Sequence, residues 1–302
     1  MRFLPLKLKK RENQSGQALL LVLLSMAVVL TVVLSILSRT ITDITVTTRE
    51  EEALRAFSAA EAGIERALII GTNSGEFGED ASFAATVSNF GYQKMEYVYP
   101  EKLLSGEAAV VWFVGHDEET GELTCDTNEC FTGSQMKICW GEPGTASDSD
   151  TTPATEMSIF YAETPGDYST VKIVRDTADP NASRRSSNSF EAPDEGTCTI
   201  DETDFQFQKS FDLASLGVPA SSYNNQNGLQ FAKIRIFYNT DVAHKIGLDV
   251  TASGNDLPSQ GLKIKSMGMA GEANRRIEVF QTFGELPPIF DAVLFSPGGI
   301  VK

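Results

Sequence analysis

One uncharged apolar stretch near the N-terminus, residues 18–38, constrains the fold of this chain more than any other feature of its sequence. As a helix this stretch would be about 32 Å long, because each residue adds ~1.5 Å, and this length matches a hydrocarbon core of ~30 Å. A cleaved secretory signal is the alternative, but its apolar region is shorter, about 7–15 residues, and ends at a small-x-small site. Residues 35–38, SILS, provide no such site, so we predict a retained membrane-spanning helix at 18–38.

Basic residues stand on the N-terminal side of this stretch. They are Arg2, Lys7, Lys9, Lys10 and Arg11. Because cytoplasmic flanks of membrane helices are enriched in Lys and Arg, this bias places the N-terminus in the cytoplasm. We therefore expect a single-pass protein of the inner (cytoplasmic) membrane, in contact with membrane lipid, with everything after Arg39 extracytoplasmic.

The predicted extracytoplasmic part is strongly acidic. The whole chain carries a formal charge of −16, and the residues before Gln17 contribute five positive and one negative charge, or +4, so the remainder carries −20. A surface of this sign repels phosphate backbones. We expect no nucleic-acid partner for this part of the chain.

A second helical pattern follows the apolar stretch, over residues 49–70. Its apolar side chains recur at helical spacing and form one stripe that also contains a carboxylate. The members of this stripe are Leu54, Phe57, Glu61, Ile64 and Leu68. We predict one long helix over 17–70, whose second half packs this stripe under a globular domain and ends at Gly71.

Beyond residue 70 the pattern changes to short segments rich in β-branched and aromatic residues, which predict antiparallel strands. These segments are 108–114, 136–140, 156–163, 168–176, 229–240, 245–252, 261–269 and 275–283. The last four are interpreted as a meander, and 141–155 and 176–197 as long surface loops. The fold class is α+β, with a long N-terminal hydrophobic helix and an antiparallel β-rich domain over 71–302.

Four cysteines lie beyond the apolar stretch, at Cys125, Cys130, Cys139 and Cys198. An even number in an exported domain predicts disulfides, with Cys125 pairing with Cys130 or Cys139 and Cys198 joining a distant strand. Free buried thiols and a zinc site are the alternatives. The C-x4-C-x8-C spacing is not a zinc pattern, so we predict no metal.

Catalytic motifs are missing from the sequence. The two histidines, His116 and His244, belong to neither a zinc-protease nor a nucleophile–base pattern, and no phosphate-binding or dinucleotide glycine motif occurs. Acidic turns at 125–130, 147–150 and 176–181 lack the glycine and terminal glutamate of a calcium loop. We expect no enzyme and no cofactor; an exported hydrolase with two carboxylates remains an alternative, because such a pair needs no sequence signature.

Two short motifs carry a family resemblance. Ser15-Gly16-Gln17-Ala18 places a glycine directly before the apolar stretch, which resembles the cleavage site of class III leader peptides. Residues 56–62, AFSAAEA, are similar to the A-F-x-A-A-E-A signature of PilX-like minor pilins. The clear match covers about fifty residues, and the C-terminal end from residue 234 to 299 is similar more loosely.

This resemblance implies a filament subunit. A prepilin peptidase would remove the leader 1–16 between Gly16 and Gln17, and other pilin-like subunits would be the partners in a type IV pilus or a related secretion or DNA-uptake system. The alternative is a single-pass surface protein that keeps its leader and binds a ligand or another cell through its β-rich domain.

Two residues depart from the pattern of type IV pilins. Gln17 stands where they usually have Phe or Met, and Leu21 stands where they have a glutamate that neutralises the N-terminal amine of the adjacent subunit. Leu21 cannot neutralise an amine. This departure favours a low-abundance subunit or one at the filament tip, where no subunit above presents an amine, over a major pilin; a protein that never assembles is the alternative.

Overall fold

The computed structural model describes residues 15–117, 120–125 and 130–284. Most of the predicted leader, residues 1–16, lies outside these residues. Part of the C-terminal segment that resembles pilin tails lies outside them as well. The described chain divides into two compact units, one formed by 15–85 with 266–277 and the other by 86–265 with 278–284. This division differs from the single boundary predicted at residue 70.

The described secondary structure consists of one very long α-helix, two short α-helices, two 3₁₀ turns (Tyr168–Thr170 and Thr251–Ser253) and sixteen strands. The helices are α1 (Ser15–Ile70), α2 (Ala182–Asn188) and α3 (Ala220–Tyr223). The strands are β1 (Asn73–Phe77), β2 (Ala81–Phe90), β3 (Glu96–Val98), β4 (Ala108–Trp112), β5 (Gly115–His116), β6 (Leu123–Thr124), β7 (Gln135–Trp140), β8 (Ala154–Ala162), β9 (Val171–Ala178), β10 (Cys198–Ile200), β11 (Thr203–Phe205), β12 (Phe207–Asp212), β13 (Leu229–Phe237), β14 (Ile246–Asp249), β15 (Gly261–Ala270) and β16 (Ala273–Thr282).

Helix α1 is continuous over 56 residues, as predicted, and would be about 84 Å long at ~1.5 Å per residue. Its middle is rich in β-branched threonine, which disfavours helix, but each hydroxyl donates a hydrogen bond to the carbonyl four residues earlier. The threonines that do so are Thr40, Thr42, Thr45, Thr47 and Thr48. The helix ends at Gly71, whose φ of +76° suits glycine and whose N–H donates to Ala67 O at 2.9 Å.

The first unit contains α1, β1 and parts of three longer strands. The sheet has the order β1-β2-β15-β16, and β2, β15 and β16 each continue along the chain from one unit into the other. Strands β1 and β2 are antiparallel, with Asn73 opposite Ala85. The two residues Gly271 and Glu272 connect β15 to β16 as a hairpin.

The second unit is built from two four-stranded sheets, with orders β12-β7-β14-β3 and β4-β13-β8-β9. All their pairings are antiparallel. Side chains from both sheets meet in one core cluster, which includes Ile138 and Trp140 of β7 and Ile234 and Ile236 of β13. The predicted α+β class, a long N-terminal helix followed by antiparallel sheets, is confirmed.

The predicted meander of the last four strands is wrong except for its final hairpin. Strand β13 pairs with β4 and β8, whereas β14 pairs with β7 and β3 in the other sheet. These partners are distant in sequence, so the regular spacing of the four segments held no information about their pairing.

The predicted loop at 176–197 is also partly wrong. It contains the end of β9 and helix α2, which are held together by the buried carboxylate of Asp179. This carboxylate accepts hydrogen bonds from Asn181 N at 2.8 Å, Arg184 Nε at 3.0 Å and Asn188 Nδ2 at 2.7 Å. The other predicted loop, 141–155, is a loop up to residue 153.

Candidate functional site

The N-terminal half of α1 presents a continuous run of exposed apolar side chains. Its large side chains from Leu19 to Leu37 are all exposed. Among the described helices, α1 is the one long and apolar enough to cross a membrane, and none of its most apolar window is buried. Since transfer of such a surface to water is unfavourable, this half-helix requires lipid or other apolar helices around it.

The last third of α1 packs within its unit through small residues. The buried ones are Ala56, Ala59, Ala60, Gly63 and Ala67. Their separations of three or four residues place them on one helical face. This face meets β15 so closely that a Cβ atom at Gly268 would lie 1.9 Å from Ala56 O and 2.5 Å from Ala60 N.

Two further contacts extend this interface along the helix. A Cβ at Gly63 would lie 2.2 Å from Ser266 Oγ and 2.9 Å from Phe83 Cδ2. One turn from Ala56, the Glu52 carboxylate accepts a hydrogen bond from Glu272 N at 3.3 Å, in the hairpin between β15 and β16. Gly268 therefore lets the helix and strand backbones meet directly beside Ala56 and Ala60, and Gly63 makes room for the buried Phe83 ring.

The stripe predicted to pack under the globular domain is mostly exposed. The exposed fractions are 69% for Leu54, 44% for Phe57 and 51% for Leu68, and only Ile64 is buried, at 8%. Glu61 is exposed, which is the usual position of a carboxylate at the edge of an apolar stripe. The prediction is wrong because apolar spacing identifies a stripe but not its partner, and the Ala/Gly face allows a closer approach. The Ala/Gly face could have been detected in the sequence, because small residues recur there at helical spacing. A pattern based on hydrophobicity gives such residues little weight.

The sequence motif at the start of α1 is described only in part. Gly16 lies within α1 and Gln17 is exposed, while residues 1–14 of the leader lie outside the described chain. Leu21, which stands where type IV pilins have a glutamate, is 63% exposed on the apolar half-helix.

The four cysteines form two disulfides, as predicted: Cys125 pairs with Cys130, one of the two partners left open by the sequence, and Cys198 joins a distant strand through Cys139. Cys139 on β7 joins Cys198 on β10, and this bridge is buried beside Ile200 and Phe205. Neither a zinc site nor free thiols are compatible with this arrangement. Disulfides are characteristic of oxidising compartments outside the cytoplasm.

The two histidines lie apart from each other in the second unit and are both buried. The His116 ring stacks on Phe283, with centroids 3.8 Å apart, and contacts Trp112 edge-on; burial lowers the pKa of this imidazole to about 4. His244 Nδ1 accepts a hydrogen bond from Glu142 N. Within the described ranges no three His, Cys, Asp or Glu residues are grouped as metal ligands.

A surface cavity of about 330 Å³ lies between β7, β12 and β14, beside the ion pair of Lys137 Nζ and Asp249 Oδ2 at 2.7 Å. Asp249 also accepts hydrogen bonds from the Thr251 N–H and hydroxyl. Lys137 and Asp249 thus satisfy each other here. The carboxylate of Asp212 accepts hydrogen bonds from Ala214 N and the Ser215 hydroxyl. The long apolar helix with its exposed stripe is therefore the better candidate for the functional surface.

Comparison with known proteins adds no assignment to this geometry: no protein-family profile matches the chain, and no curated protein matches it.

Proposed function

We propose that this chain is a membrane-anchored structural subunit of the minor-pilin type, displayed by a type IV pilus or a related filament, secretion or DNA-uptake system, and that it catalyses no reaction. The observation that carries the proposal is the division of α1. Within its own unit the last third of α1 packs mainly through an Ala/Gly face and Ile64, while an apolar half-helix and the stripe of Leu54, Phe57 and Leu68 stay exposed.

In this proposal, the leader is cut after Gly16 on the cytoplasmic side and the head lies outside the inner membrane. The half-helix first resides in lipid and then packs against the helices of other pilin-like subunits. Lipid tails are as apolar as leucine, so the driving force for this exchange is close packing rather than transfer out of water. The stripe of Leu54, Phe57 and Leu68 would extend the contact with neighbouring subunit helices beyond the C-terminal end of the membrane span.

Leader processing tests the proposal most directly. Co-expression of the full chain with a prepilin peptidase should shorten it by the sixteen residues before Gln17, as measured by intact mass. The variant Gly16→Val should remain uncut, and Gly284→Val, at a glycine distant in sequence whose Cβ would meet no atom within 4 Å, should be cut like the wild type. A wild-type chain that stays full length beside a processed control prepilin would instead support the single-pass surface anchor.

A tip position is tested at Leu21. If no subunit above presents an amine, Leu21→Glu should bring no gain in filament incorporation and should weaken membrane insertion by about 2–3 kcal/mol. Quantitative immunoblots of purified filaments against the major pilin measure the incorporation. A clear rise for Leu21→Glu would contradict the tip position and leave the pilin-type proposal standing.

A further inference from the structure

A buried imidazole holds the start of a long loop in the second unit. This loop, residues 141–153, connects β7 to β8. His244 is 5% exposed and its Nδ1 accepts a hydrogen bond from the backbone N–H of Glu142 at 3.2 Å. The histidine backbone is fixed by two hydrogen bonds with Leu103, at 2.8 and 2.9 Å, so the ring is presented from a rigid position.

The two ends of the loop are held by different chemistry. Near its start, Gly144 N donates to Gln206 Oε1 at 2.7 Å and Glu142 forms an ion pair with Lys102. At its far end, the Arg184 guanidinium donates to Asp150 O at 2.8 Å and to Thr152 O at 2.7 Å. A guanidinium stays charged at every accessible pH, so only the start of the loop depends on a group that titrates near neutrality.

Several charged groups face the His244 ring. Glu142 comes from the loop, Asp241 from the ring's own connection between β13 and β14, and Lys102 from the connection before β4. Burial has the largest effect and lowers the pKa of His244 below its ordinary value of 6.5; the two carboxylates oppose this change and Lys102 adds to it. Lys102 is also the main reason why the pKa of Glu142 is lowered.

We propose that residues 141–147 form an acid-released latch, in which protonation of His244 at Nδ1 removes the acceptor for Glu142 N–H and frees the start of the loop. A protonated Nδ1 is a donor, so two N–H groups would face each other across the former hydrogen bond. The far end, held by Arg184, stays in place. Opening would remove part of the wall of a surface cavity of about 330 Å³, because residues 142–146 line it together with Asp241 and His244.

The direction of the pH dependence follows from linkage. In the open form His244 is solvated and has its ordinary pKa, whereas in the closed form its pKa is lowered. Between these two values the open form binds more protons, so the closed form loses stability as the pH falls below about 6.5. At neutral pH the imidazole is uncharged and the latch is closed.

Hydrogen exchange of the full chain in detergent micelles, with disulfides intact during labelling, tests the proposal. After correction for intrinsic rates, protection of a peptide covering 141–147 should fall about tenfold between about pH 7.5 and about pH 5, because local opening governs exchange there. A peptide covering 149–153, held by Arg184, serves as the internal reference and should keep its protection.

Two variants separate the latch from general acid destabilisation. His244→Asn keeps an acceptor near the position of Nδ1 that cannot titrate, so the 141–147 peptide should stay protected at both pH values. His116→Asn removes the other histidine and should leave the tenfold change intact. Equal loss of protection in wild type and His244→Asn, or no loss in the wild type while NMR of the imidazole shows His244 protonated, would overturn the proposal.

Discussion

The two compact units are held together internally by opposite means. The second unit fills its core with large side chains, among them Trp140, Phe113 and Phe131, and adds two disulfides. The first unit joins helix to sheet at Ala56, Ala60 and Gly268, where backbones meet directly. A core of large side chains is destabilised when a substitution removes side-chain volume, whereas a close backbone contact is destabilised when a substitution adds it. The two units should therefore respond to opposite kinds of substitution.

The largest effect is expected from Trp140→Ala. This side chain is fully buried and its Nε1 donates to Pro153 O at 2.9 Å, so truncation leaves a cavity and an unpaired carbonyl. We expect a loss of about 3–5 kcal/mol in the free energy of unfolding, measured by urea denaturation in detergent. Trp112→Ala is the matched control and should cost clearly less, because Trp112 is only half-buried. Equal costs would contradict a core centred on Trp140.

The disulfides should differ in their contribution to the same unit. In the loop-entropy model, removing Cys139–Cys198, which spans 59 residues, should cost about 4 kcal/mol, and removing Cys125–Cys130, which spans 5, about 2 kcal/mol. Double Cys→Ala variants of each pair, compared by their urea midpoints, measure this difference. If the short-range pair cost more, closure of the long loop would not be the source of the stabilisation.

Adding one methyl group should destabilise the helix–sheet contact of the first unit. Gly268→Ala places a Cβ against Ala56 O and Ala60 N, so helix and strand must separate, at about 1–3 kcal/mol. Gly284→Ala is the control, because a Cβ there has no atom within 4 Å. Thermal unfolding followed by circular dichroism compares the two, and an unchanged midpoint for Gly268→Ala would show that the contact is looser than described.

The smallest effect is expected on the exposed stripe. Leu54→Ser should change the free energy of unfolding by less than about 0.5 kcal/mol, because Leu54 is 69% exposed, and Phe57→Ser, at a side chain 44% exposed, should cost about 1 kcal/mol. Ile64→Ser, at the buried edge of the same helix, should cost about 2–4 kcal/mol. If the proposed function is right, Leu54→Ser and Phe57→Ser should nevertheless reduce incorporation into filaments, measured by immunoblot. Normal incorporation of both would argue against the stripe as a contact between subunits.

Prediction from sequence succeeded where the signal was local. The length of the uncharged stretch and the position of Gly71 were sufficient to predict the bounds of α1 to within about two residues. Most strands beyond residue 105 were predicted from runs of β-branched residues. Strands β1 and β2 were missed because NSGEF and ASFAATVSNF are dominated by small and polar residues. Their place in the sheet depends on partners that only the folded chain supplies.

The same reasoning could not predict which distant strands pair or which helix face packs closely against the sheet. Nothing in the spacing of β13 and β14 indicates that they belong to different sheets. The helix face was assigned wrongly because hydrophobic periodicity scores Leu54 and Phe57 above Ala60 and Gly63, although close approach favours the small residues. The Cys139–Cys198 bridge depends on β10 reaching β7, which is again a question of topology.

The direct contact of α1 with Gly268 has a mechanical consequence. Interfaces built from long side chains can yield by rotamer changes, whereas Ala56 O and the Gly268 backbone have no such compliant layer between them. A force applied along the helix axis would therefore be transmitted to β15 with little deformation of the interface. Tension on the N-terminal helix would thus load the backbone of β15 rather than a layer of soft side-chain contacts.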